Sequence, residues 1–196
     1  MTTQDECGWA IWFVGLPGSG KSTYAQAVYE QLLQRNVDVT YLSMDERRRT
    51  YFFQPEYTAE EREQAYRMFV QEAADLAGCG RNVIMDGTGH KLWMRHHARN
   101  LIHRFAEIYV YCPPEVAIER EKGRSRGQVI PGLYQKALER REKGTFFEGL
   151  GEVVGVDVPF EEDTSAECII ESDRMSVEQG RDLVLEFLDG WLEDSR

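Results

Sequence analysis

The sequence predicts an α/β fold, a three-layer α/β/α sandwich around a mainly parallel sheet. Two observations point there. Short apolar runs alternate with stretches of helical periodicity through the whole chain, and the first run, Trp9 to Val14, passes directly into a glycine-rich loop and a helix. In such a fold ligands gather at the carboxyl ends of the strands.

IWFV within the first run reads as a buried parallel strand. After it, Ala25, Val28, Tyr29, Leu32 and Leu33 recur at helical spacing up to Asn36. Val37 to Leu42 is a second strand that leads into Ser43, Met44 and Asp45. An aromatic stretch follows, Tyr51, Phe52, Phe53 and Tyr57, which suits either core burial or stacking on a base. Thr58-Ala59-Glu60-Glu61 is a capping box. It opens a helix carrying Ala65, Met68, Phe69, Ala73 and Leu76 that closes near Gly78 and Gly80.

Asn82 to Met85 is the third strand, delivering Asp86 and the turn-prone Gly87-Thr88-Gly89, and a helix with Trp93, His97, Ala98 and Leu101 comes next. Glu107 to Cys112 is the fourth strand. Pro113 and Pro114 stop it, and a short helix runs through Val116 and Ile118. Residues from Gly123 to Gly132 read as a mobile loop or lid, part of a lid region over 123–148, before the helix GLYQKALERREKG. Cys168 to Ile170 is a last short strand. Ser176 to Gln179 is a second capping box, starting a helix with Val177, Val184, Phe187, Leu188 and Trp191.

A chain of 196 residues that is 42% hydrophobic is expected to form one domain, long enough to bury about 70% of its unfolded surface. With no apolar run near the roughly 20 residues that span a bilayer, and no basic start or apolar secretion segment, the reading is a soluble, cytoplasmic protein. Cys7, Cys79, Cys112 and Cys168 are scattered, which fits reduced thiols rather than a disulfide framework. A formal net charge of −11 disfavours a nucleic-acid partner, and the lack of a spanning apolar run argues against a membrane one. Small anionic substrates stay open, because Arg47, Arg48 and Arg49, or Arg120, Arg124 and Arg126, can hold one phosphate or sulfate. His90, His96, His97 and His103 lack acidic or cysteine companions at ligand spacing, so surface or helix-packing roles are expected of them.

The chemistry is carried by GLPGSGKST, Gly15, Leu16, Pro17, Gly18, Ser19, Gly20, Lys21, Ser22 and Thr23, which fits the phosphate-loop pattern GxxxxGK[ST]. The β- and γ-phosphates of a nucleotide need donors without obstruction. Gly15, Gly18 and Gly20 let backbone N–H groups form an anion nest, and the following helix adds about half a positive charge. Lys21 bridges β- and γ-phosphate oxygens, and the Ser22 hydroxyl is placed to ligate Mg²⁺. Two strand-end aspartates serve the rest of a phosphoryl transfer. Asp86 could hold Mg²⁺ or orient the attacking hydroxyl, and Asp45 could accept its proton; either could instead cap a helix.

With these residues the chain resembles the adenylylsulfate kinases, P-loop kinases that use MgATP to phosphorylate the 3′-hydroxyl of adenosine 5′-phosphosulfate. The resemblance rests on GLPGSGKST, on MDERR where the family has DGDNxR, on EIYVYCPPEVAIER, and on GLYQKA, TFFEGL and VPFE, similar to the family's GLYKKA, FTGI and PYE. It implies Asp45 as the base and Arg48 as a contact to the substrate anion. It matches Arg62 and Arg67 to arginines of the next helix, Lys136 to a lysine beside the lid, and Phe146 or Phe147 to an aromatic stacked on the substrate adenine, a contact worth roughly 1 to 3 kcal/mol. Family members are often dimers, so a homodimer is compatible with the resemblance.

The chain departs from the family pattern on the acceptor side. Ser43 and Met44 replace an acidic residue and a glycine, Ala65 an asparagine, and Asp86-Gly87-Thr88-Gly89-His90 an apolar-Ser-Pro motif. With Arg95 and Arg99, the DGTG form is more like small-molecule and polynucleotide-kinase relatives. Another nucleotide-linked or sugar alcohol is thus the alternative acceptor, and a nucleotide-binding switch without transfer the alternative class.

Overall fold

The computed structural model describes residues 7–54, 58–123 and 130–194. Among them, strands β1 (Trp9–Val14), β2 (Val39–Ser43), β3 (Asn82–Asp86), β4 (Arg104–Tyr111) and β5 (Cys168–Glu171) form one sheet in the order β2-β3-β1-β4-β5, parallel at every junction. Helices α1 (Lys21–Gln34), α2 (Met44–Tyr51), α3 (Ala59–Gly78), α4 (Leu92–Leu101), α5 (Pro114–Lys122), α6 (Leu133–Lys143) and α7 (Val177–Asp194) complete the alternation. The expected α/β/α sandwich is what forms.

Alternation along β1 explains the layers. Ala10, Trp12 and Val14 join Phe69, Val70 and Ala73 of α3 and Met94 and Ala98 of α4 in one core. Trp9, Ile11 and Phe13 join Val28 and Leu32 of α1 and Val184 and Leu188 of α7 in the other. A third, smaller cluster lies apart from the sheet, where Tyr134 and Ala137 of α6 meet Leu150 and Val153.

The Ser176 capping box closes on both sides, and the Thr58 hydroxyl caps α3. Thr58 Oγ1 accepts from the Glu61 amide at 3.1 Å, whereas Ser176 and Gln179 bond reciprocally, at 3.2 Å from the Gln179 amide and 2.8 Å from the Ser176 amide. Helix α1 stops two residues before the expected limit, and Asn36 adopts a left-handed φ of 60°.

Two elements differ from the sequence reading. Helix α2 was not anticipated, because its run MDERRRTY has only Met44 and Arg48 facing inward and lacks apolar periodicity. Strand β4 begins at Arg104 rather than Glu107, and Glu107 sits mid-strand, fully buried beside an equally buried Arg95. Tyr51 and Phe52 pack against the core, Phe53 is 98% exposed, and Tyr57 lies outside the described residues, as do Arg124 and Arg126 of the expected lid. All four cysteines are free, and no described helix is long and apolar enough to cross a membrane.

Candidate active site

The loop between β1 and α1 has the backbone that its glycines permit. Gly15, Gly18 and Gly20 have φ of 147°, 83° and 95°. A Cβ on Gly18 would lie 2.3 Å from the Ala117 carbonyl oxygen, and one on Gly15 2.5 Å from that of Val110, so neither position has room for a side chain. At Gly20 the helix has no side-chain cap and no acidic residue in its first turn. The positive end of α1 therefore meets no carboxylate of its own, as an anion site requires. The Tyr134 hydroxyl donates to the Pro17 carbonyl at 2.9 Å, tying α6 to this loop.

Facing the loop is a cavity of about 200 Å³ at the carboxyl ends of β1, β2 and β3. It brings together Pro17, Gly18, Lys21, Ser22, Asp45, Arg48, Arg62 and Asp86 from the sequence-derived set. Ser43 and Asp86 are register partners across the β2–β3 ladder, so the two strand ends open side by side. Asp86 Oδ2 accepts from the Tyr41 hydroxyl at 2.9 Å, while Oδ1 is buried without a hydrogen bond. Burial pushes the Asp86 carboxyl up, against the pull of Lys21, Ser22 and Tyr41. Tyr41 is itself pushed up by burial and by Asp86, which keeps it a donor.

Asp45 is exposed in the first turn of α2. One turn on, Arg48 pairs with Glu61 at 3.3 Å, both nearly buried. Arg62 donates through Nη2 to the Glu152 carbonyl, and its Nη1 has no hydrogen bond, the nearest carboxylate oxygen being that of Glu152 at 3.9 Å. The Glu152 segment is held in turn by Arg140, which donates to the Leu150 carbonyl at 2.7 Å and the Gly151 carbonyl at 3.0 Å.

Other sequence-derived residues lie elsewhere. Gly15, Ser19 and Gly20 shape the loop backbone behind the cavity, Leu16 is half-buried and Thr23 is exposed. Arg67 points away, pairing with Glu63 at 2.7 Å and covering the Trp93 ring, because its place on α3 is five residues past Arg62. Lys136 is half-buried on α6 outside the cavity wall. Phe147 packs into the small α6 cluster, and Phe146, one residue away and on the opposite side, is 85% exposed. Arg95 is a strut rather than a substrate contact, bonded to Glu107 at 3.0 Å and to the Gly89 and Glu161 carbonyls. Arg99 binds Glu167, and Arg120 binds Ser172 at 3.0 and 2.8 Å.

The sequence reading missed Tyr41, Tyr66 and Glu152 as neighbours of the site and had His90 only as the end of the acceptor-side segment that starts at Asp86. His90 is buried at the cavity, unlike the exposed His96 and His103. Its position directly after the DGTG turn was the available signal.

The sequence profile of the adenylylsulphate kinases matches residues 7–171. The chain belongs to the adenylylsulphate kinase family. Within it, a probable adenylyl-sulfate kinase of Pyrococcus abyssi is 30% identical over 91% of this chain and 93% of its own length. One from Archaeoglobus fulgidus is 32% identical over 84% of this chain and 96% of its own. Among solved structures, the Mycobacterium tuberculosis APS kinase CysC in complex with AMPPNP and APS superposes with a TM-score of 0.76, covering 93% of this chain and 98% of that one at 24% identity. At that identity the likeness speaks for the fold. Family membership together with the phosphate loop makes this adenylylsulphate kinase family member a phosphotransferase.

Proposed function

We propose that the chain transfers the γ-phosphoryl group of ATP to the 3′-hydroxyl of adenosine 5′-phosphosulfate. One observation carries this reading. The phosphate loop and an acceptor wall of Asp45, Arg48 and Arg62 face each other across one cavity in a chain of this family. In the reaction Lys21 and the loop amides would hold the β- and γ-phosphates, and Arg48 and Arg62 would set the acceptor against the γ-phosphorus. Asp45 would take the proton as the hydroxyl oxygen bonds to phosphorus and the bond to the β-γ bridging oxygen breaks, releasing ADP. Asp45 suits the base role better than Asp86, because it is open to the acceptor and Asp86 is already engaged by Tyr41.

The donor set fits Mg²⁺, a hard cation that takes oxygen ligands. Asp86 leaves one buried oxygen unpartnered, and Ser22 supplies a hydroxyl beside it. Ser22 and Asp86 would hold the ion, which when bound neutralises charge on the phosphates.

The test is ADP release from MgATP across a panel of acceptors. Adenylylsulfate should give the largest kcat/KM, and Asp45→Asn should lower kcat by about 10² to 10⁴ while leaving the KM for ATP nearly unchanged. No release above the water blank with adenylylsulfate, but turnover with a sugar or another nucleotide-linked alcohol, would replace the acceptor. The loop from Asp86 to His90 is the part of the wall that favours looking there.

A further inference from the structure

Residues 87–90, after β3, are pinned from several sides. Trp12 Nε1 donates to the Gly87 carbonyl at 3.1 Å, and the Gly89 amide donates to the Tyr66 hydroxyl oxygen at 3.0 Å. Arg95 donates to the Gly89 carbonyl, and the His90 carbonyl accepts from the Glu161 amide at 2.8 Å. These bonds hold the backbone of the loop in place, but the ring it carries is not paired in the same way. His90 is 4% exposed and lines the cavity, and its Nδ1 has no hydrogen-bond partner.

A buried polar group left unpaired costs about 1 to 3 kcal/mol. Held on a fixed loop, it is preorganised for a ligand atom. A second such group lines the same cavity, the Nη1 of Arg62, a charged donor. Two unsatisfied nitrogen groups, one of them a guanidinium, suit the oxygens of an anion better than a base edge or an apolar surface.

We propose that His90 is a specificity residue of the acceptor half of the site, hydrogen-bonding together with Arg62 a tetrahedral oxyanion borne by the acceptor. The kinase reading above supplies the identity of that oxyanion, the sulfate end of adenylylsulfate. Burial, then Arg62 and Lys91, with Arg95 adding to them and Glu161 opposing, brings the imidazole down to about 4. The ring therefore gives a hydrogen bond without a second positive charge. The sulfate end of a phosphosulfate anhydride carries one negative charge and a terminal phosphate close to two, so an uncharged donor at this position, in place of a further cation, favours sulfate.

The experiment uses the full chain with AMPPNP bound and ¹⁵N-labelled histidine, and follows the His90 ring nitrogens as adenylylsulfate or inorganic sulfate is added. In parallel, steady-state kinetics compare His90→Phe with His90→Gln, which retains a hydrogen-bonding amide. Both anions should move the His90 Nδ1 resonance. His90→Phe should raise the acceptor KM about tenfold with the KM for ATP within about twofold of wild type, and His90→Gln should recover most of the loss. A resonance that neither anion moves, or a His90→Phe variant in which both KM values rise together, overturns the inference. If sulfate moves the ring but adenylylsulfate is not phosphorylated, the acceptor assignment falls and the oxyanion role of His90 stands.

Discussion

Glu107 and His90 are buried groups whose proton affinities move in opposite directions. Burial lifts the Glu107 carboxyl to about 7 against the pull of Arg95, and burial lowers His90 to about 4. Between pH 4 and 6.5 an unfolded histidine binds a proton that the folded one refuses, so His90 makes stability rise with pH. Between pH 4.5 and 7 the folded glutamate keeps a proton that the unfolded one gives up, so Glu107 makes stability fall with pH. Each swing is on the order of 3 kcal/mol, and over the shared window the two nearly cancel. From pH 4.5 to 6.5 the slope of denaturant-measured stability against pH should be more negative in His90→Phe than in the wild type and more positive in Glu107→Gln. Above pH 7, where Glu107 is ionised, Glu107→Gln should also be less stable than the wild type, since it removes the charged partner of the buried Arg95. Parallel slopes in all three proteins would contradict the assignment. In the sequence Glu107 was legible only as a strand residue and His90 only as the end of the acceptor-side segment. What defines Glu107 is an arginine on another element, and what defines His90 is a set of bonds from Trp12, Tyr66, Arg95 and Glu161.

At the scale of elements, two glycines separate scaffold from site. On α7, a Cβ at Gly180 would lie 2.3 Å from the Tyr24 ring, whose hydroxyl donates to the Met175 carbonyl at 2.9 Å, so α1 and α7 interlock there. Gly180→Ala should lose about 1 to 3 kcal/mol of stability through overpacking. Its turnover per folded molecule should be unchanged, as read by urea unfolding alongside kinetics. Gly18→Ala meets both a φ of 83° and the Ala117 carbonyl, and it should raise the KM for ATP as well as lose about 1 to 3 kcal/mol of stability. The reverse pattern would relocate the site. Strands and capping boxes were readable beforehand because apolar runs and Thr58 or Ser176 act locally. Helix α2 was not, since it is held by the Arg48–Glu61 pair and by Met44 rather than by a periodic apolar face. The aromatics near α6 were ambiguous for a related reason, as the fold alone separates the packed Phe147 from the exposed Phe146.

For the whole molecule, a net charge of −11 sets the field around a cavity lined by Lys21, Arg48 and Arg62 together with Asp45, Asp86, Glu121 and Glu152. An oligonucleotide should show no binding at physiological salt, and AMPPNP at a hundred times its Kd should stabilise the fold by about 2.7 kcal/mol, read as a rise in Tm. Lys21→Ala should abolish that rise, and a rise that persists would place the nucleotide elsewhere. The two sheet faces have a consequence on a longer timescale. The helix that follows the phosphate loop rests on the core built from Trp9, Ile11 and Phe13, and the acceptor-side residues Met44 and Tyr66 rest on the core built from Ala10, Trp12 and Val14. The sheet separates the two packing layers, which meet at the rim where the Gly15 amide donates to the Thr88 carbonyl at 3.3 Å. Drift in the acceptor wall, of the kind already seen at Ser43, Met44 and the loop ending in His90, can accumulate over generations without repacking the layer beneath the phosphate grip. A lineage can thus inherit the grip intact while it trades one recipient for another.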